Sequence, residues 1–166
     1  AILIVLVIVS SITYILVKDL LENNAEEQIR KTAVESSGRY DSLFEQLNMV
    51  TKQVITNPDI QHVLHKEANG QVSSFNERQA LVNITHHIQA NADGIYSLEI
   101  YNRNNQRLIP IDSTTLTERI NPYWIKKAEE AGGKLTWIGE DPLDANYYLV
   151  IRQLNLMDRA FERGGY

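Results

Sequence analysis

The sequence predicts an α+β protein in which a membrane helix continues into a long stalk helix, followed by an antiparallel sheet flanked by helices. Three observations predict it. Residues 1–17, AILIVLVIVSSITYILV, carry no charge. From Lys18 to Thr56 the chain turns charged, has no proline, and holds an apolar seam at heptad spacing. After Gly94 the hydrophobic period changes from that of a helix to that of a strand.

The first run covers about 26 Å as a helix, just short of a hydrocarbon core of about 30 Å. The chain opens at Ala1 with no methionine and no basic flank, so the run reads as a membrane helix truncated at its start. Tyr14 falls where an aromatic ring lies at headgroup level, and Lys18 follows at the exit. A signal peptide would end in a small-x-small cleavage site, and Tyr14 through Lys18 offers none. A core helix rarely runs this far without a charge. The expected location is therefore the cell membrane.

The stalk is read over residues 18–57. Its seam is Ile29, Ala33, Ser36, Tyr40, Leu43, Leu47, Val50 and Val54, at alternating spacings of four and three. Asn57-Pro58 ends it, because proline disfavours helix for the residue before it. Roughly forty helical residues reach on the order of 60 Å. The small seam residues Ala33 and Ser36 permit close approach of a second helix, so a homodimer through the stalk is expected. Leu43 to Val54, the bulkier part, is expected to pack within its own chain.

The remaining residues, 58–166, read as one domain that is incomplete at its C-terminal end. Asn57 caps a helix opening at Pro58 (PDIQHVLHKEA) and stopped by Asn69-Gly70. Ser74-Phe75-Asn76-Glu77 has capping-box spacing and opens a helix ended by Asp93-Gly94. IYSLEIYN (95–102) and RLIPI (107–111) read as a hairpin, and a polar loop leads to the Asn121-Pro122 helix start. KLTWI (134–138) and ANYYLVIRQL (145–154) follow as strands, and Gly164-Gly165-Tyr166 as the opening of another.

Chemistry is sparse. The net charge of −5 argues against a nucleic-acid partner, which would call for a basic face. The absence of cysteine excludes a thiolate metal site and a cysteine nucleophile. His62, His65, His86 and His87 lie on two helices without a geometry that gathers them, so no metal is expected. No phosphate loop, HExxH or paired-carboxylate motif is present, and neither a catalytic site nor a cofactor is expected. Aromatics and cations do collect in the sheet region: Tyr101, Arg103, Trp124, Lys127, Trp137, Tyr148 and Arg152. Tryptophan faces stack on sugars and organic cations, and arginine grips carboxylates with two bonds, so these are the candidate ligand-binding residues. Core packing competes for every aromatic among them.

The series IYSLEIYNRNNQRLI, NPYWIKKAEEAGGKLTW and YYLVIRQLNLMDRAFERGGY, behind a membrane helix and stalk, resembles bacterial Cache-type sensor ectodomains. The nearest likeness is to YesM-like sensor histidine kinases. The resemblance covers most of the chain and implies a PAS-like (Cache) sheet outside the cytoplasm, from about residue 18 onward. It implies the sensor module of a two-component kinase whose expected cue is a small molecule, such as a sugar, or a solute-binding protein. The amino-acid-binding version of the pattern has arginine two residues before the tryptophan and tyrosine just after it. Pro122 and Ile125 stand there, so no amino-acid ligand is implied. A chemoreceptor or cyclase-linked receptor, and a membrane-anchored surface stalk, are the competing classes.

Overall fold

A run of fifty-five residues without proline forms one helix, α1 (Ile2–Thr56). It stops where Pro58 pushes Asn57 out of helical geometry, to φ −71° and ψ 124°. The computed structural model describes residues 2–109 and 113–166, and for residues 2–9 the backbone alone. The chain divides into two compact units, Ala1–Phe44 and Glu45–Tyr166. Among the described residues no helix is long and apolar enough to cross a membrane. The run read as a membrane span, 1–17, lies over residues 1–9 outside the described side chains. What is left, 10–17, is far shorter than the ~20 apolar residues a span needs, so the described part does not support that expectation.

In the second unit the Asn57 carboxamide accepts from the backbone N–H of Asp59 and Ile60, and α2 (Pro58–Ala68) starts there. The capping box at Ser74 and Glu77 starts α3 (Phe75–Ala90). Eight further strands and helices follow; most keep the expected order with changed limits, and the strand expected over 145–154 is divided in two. The first predicted strand is reduced to β1 (Ile100–Tyr101). It ends because the Asn102 carboxamide oxygen accepts from the N–H of Asn104 and Gln106, folding the chain into a turn that leads to β2 (Arg107–Ile109). The predicted extension of that strand through 110–111 lies outside the described residues. The loop read as polar and irregular contains a short helix, α4 (Leu116–Arg119). Then come α5 (Pro122–Glu130), β3 (Thr136–Asp141), β4 (Asp144–Ile151), β5 (Leu154–Leu156) and β6 (Glu162–Gly165).

The strands form three antiparallel pairs, β1 with β2, β3 with β4, and β5 with β6. Tyr101 and Tyr166 exchange two backbone hydrogen bonds of 2.8 Å, and Asn102 bridges Gly165, so β1 also lies beside β6. A Cβ at Gly165 would collide with the Tyr101 carbonyl oxygen, which is why glycine holds that place. The architecture is α+β, with small antiparallel strand pairs and, among the described residues, no closed sheet.

Neighbouring residues of β1 feed different cores. Ile100 joins Val54, Ile60, Leu64, Leu81, Leu108 and Leu156, so the last turn of α1 packs with α2, α3 and β5. Tyr101 joins Leu116, Ile120, Ile125, Ala128, Ile151 and Tyr166 in a second cluster beneath α4 and α5. On β1 the two cores take alternate residues, as strand geometry requires, whereas the adjacent Leu108 and Ile109 of β2 both enter the first core.

Candidate functional site

The candidate aromatics do not converge on one cleft. Trp124 is half-buried and packs on the second core with Ile138 and Leu149. Trp137 and Tyr148 neighbour Ile138 and Leu149 in sequence, so alternation sends their rings to the other face of the β3–β4 ribbon. There they form a tilted pair with centroids 5.7 Å apart and planes at 31°. Trp137 is 39% exposed and Tyr148 58% exposed. The expected grouping of Trp124 with these two is thus corrected: across the bulge between Trp137 and Gly139, Trp137 pairs with Val150 and Glu140 with Tyr148, so the two rings stay on the face away from the core that Trp124 packs on.

Of the expected cations, Arg103 sits exposed in the β1–β2 turn, not on a strand, because the Asn102 turn ends β1 one residue earlier. Lys127 is exposed on α5, 3.3 Å from Glu130 and 5.7 Å from the centre of the Tyr123 ring. Arg152 is the informative one. Its Nε donates to the Gly133 carbonyl at 2.7 Å, and one terminal nitrogen donates to Asn48 Oδ1 at 2.9 Å and Thr51 Oγ1 at 2.8 Å. Burial lowers its pKa from the usual arginine value. Arg152 is therefore a tie between the β4–β5 link and α1, with Nε and one terminal nitrogen engaged within the chain. Tyr101, also expected at a ligand, is buried in the second core, and its hydroxyl donates to Glu99 at 2.7 Å. Burial and then the Glu99 carboxylate push that phenol up.

Glu99 leads to a cluster that composition and spacing did not reveal. It pairs with Arg107, and Arg119 Nε stands 3.9 Å from it. Arg119 grips Asp141 with two bonds, at 2.8 and 2.5 Å. The four side chains are only 9–20% exposed. The Arg119 bonds hold the Asp141 carboxyl below its usual value, and they raise Arg119 in turn. The grip fastens α4 to the tip of the β3–β4 ribbon. No periodicity joins residues 99, 107, 119 and 141, so a reading of the sequence had no signal for them. A second stacked pair, Tyr96 with Tyr147 at 4.3 Å, was missed for the same reason.

Behind β1, Glu67 accepts from the Ser73 hydroxyl and N–H and from Asn102 Nδ2. Burial raises its pKa, but these bonds and the Arg78 charge outweigh it and leave the group lowered. This network fixes the loop between α2 and α3. Among the described residues no group of three or more metal-ligating side chains is gathered. Comparison with protein-family models, curated proteins and solved structures gives no match.

Proposed function

We propose that the chain is the extracytoplasmic sensor module of a membrane histidine kinase. It detects an external cue, a sugar or a sugar-binding protein, and passes a conformational signal through α1 toward the membrane; two copies pair along the stalk. The observation that supports this reading best is the Arg152 tie. The link between β4 and β5 is bonded to Asn48 and Thr51, while Val50 and Val54 of the same helix enter the buried core. A shift of the ribbon that carries Trp137 and Tyr148 is therefore felt by a helix of 55 residues. The candidate ligand-facing residues retained are Trp137 and Tyr148, whose rings are open to solvent.

The reading is tested in the intact parent protein. Asn76 is exposed on α3, and Asn76→Cys is expected to react with a membrane-impermeant maleimide on whole cells. Autophosphorylation is expected to respond to the cue, and Arg152→Ala to blunt that response. Labelling of Asn76→Cys only after lysis would overturn the reading.

A further inference from the structure

We infer that the outer face of the β3–β4 ribbon docks a protein segment bearing arginine or lysine. The inference rests on the sensor reading and names the kind of partner that brings the cue. Cross-strand pairing sets Trp137 opposite Val150 and Glu140 opposite Tyr148, so these four share one face. Ile138 and Leu149 occupy the opposite face and pack on the core. The outer face thus holds two exposed rings side by side, with an exposed carboxylate directly across from one of them.

Charge decides what fits this face. Between Lys134 and Arg152 the chain has Glu140, Asp141 and Asp144 and no lysine or arginine. Asp141 is taken up by Arg119, which leaves Glu140 and Asp144 exposed. Arg152, the cation at the end of the ribbon, is occupied by Gly133, Asn48 and Thr51. Aromatic faces attract cations through the ring quadrupole, and a guanidinium also stacks flat on them. A carboxylate beside the rings adds Coulomb attraction. A neutral sugar would stack on the same rings but draw nothing from Glu140 as a charge. Small ligands are held by burying most of their surface. Rings 39% and 58% exposed on a two-stranded ribbon touch a ligand from one side only, which suits a segment held elsewhere by its own protein.

The test uses the full chain and three probes: a hexa-arginine peptide, a hexa-glutamate peptide and maltohexaose. Hexa-arginine is expected to bind, hexa-glutamate and maltohexaose not. Glu140→Gln and Trp137→Ala should each weaken binding about fivefold, a typical loss for one cation–π or ion-pair contact. Glu162→Gln removes an equal charge from another exposed site and should leave binding within about twofold. Equal weakening by Glu140→Gln and Glu162→Gln would reduce the effect to overall acidity and overturn the proposal. Binding of maltohexaose with no binding of hexa-arginine would overturn it in favour of a glycan. Glu140→Gln keeps the question open to refutation should Trp137→Ala fail to fold. Absence of peptide binding with Asn76→Cys labelled from outside refutes the docking surface alone; labelling from the wrong side refutes the sensor reading whatever the peptide does.

Discussion

The apolar seam of α1 behaves differently along its length. Ile29 and Tyr40 are 71% and 66% exposed, and Ala33 and Ser36 are exposed with them. Val50 and Val54, on the same heptad, are 4% and 3% exposed, and Leu43 and Leu47 are half-buried. One sequence pattern thus covers a solvated stretch and a core stretch. A heptad states which side of a helix is apolar, and says nothing of what covers it. The difference follows from what each stretch meets: α2, α3 and β5 supply Ile60, Leu81 and Leu156 around Val54.

The largest effect should come from placing a charge at each end of that seam. Val54→Asp sets an unpaired carboxylate among buried aliphatic side chains and should cost about 4 kcal/mol or more of stability. Ile29→Asp should change the stability of a monomer by less than about 0.5 kcal/mol. Urea unfolding of both variants measures this. A loss at Ile29 that grows with protein concentration would instead show that a second copy covers the lower seam, as the proposed dimer requires.

The same contrast explains how much was legible. Helix starts are local chemistry: Asn57-Pro58, Ser74 with Glu77, and Asn121-Pro122 each cap as their residue types dictate. The order of strands was legible in part: β-branched and aromatic runs stood between turn residues, but 145–154 was read as one strand where Arg152 and Gln153 separate β4 from β5. Strand limits were not, because Asn102 turns the chain by a side-chain bond that propensity does not weigh. The burial of Leu43 to Val54 followed from bulk. The site was read less well. Trp124, Trp137 and Tyr148 were grouped by composition, whereas their faces depend on register, which a single sequence leaves open. Arg152 looked like a ligand anchor and is a structural tie, because its partners lie about a hundred residues away on α1.

The two tryptophans sharpen the comparison at single residues. Trp124→Ala empties part of the second core and should cost about 3 kcal/mol. Trp137→Ala removes an exposed ring and should cost about 1 kcal/mol, through its contact with Tyr148. Guanidinium unfolding of both variants decides it; equal losses would mean that Trp137 is core and not platform. Arg152→Ala falls between them. It leaves Asn48 and Thr51 without their partner and should cost about 2 kcal/mol, the value of hydrogen bonds to a charged group. A loss below about 0.5 kcal/mol would remove the basis for coupling the ribbon to α1.

The smallest effect lies at the start of α3, where the partners are near in sequence and still partly open to solvent. Lys66 Nζ donates to both Glu77 oxygens at 2.9 Å, and the N–H and hydroxyl of Ser74 donate at 2.7 and 2.8 Å. These bonds, Lys66 first, lower the Glu77 pKa from 4.5 to about 2. A carboxylate with a lowered folded pKa stabilises the fold above its unfolded value and loses that stability as pH falls through the folded one. The contribution should therefore be complete above pH 4.5 and fade between there and about 2. Glu77→Gln keeps the shape and removes the titration, so the thermal midpoints of the two proteins should differ at neutral pH and converge toward pH 2. Solvent around the exposed cap makes the difference modest, and salt should shrink it further. A gap that stays constant from pH 7 to pH 2 would show that Glu77 acts through its shape and not through its charge.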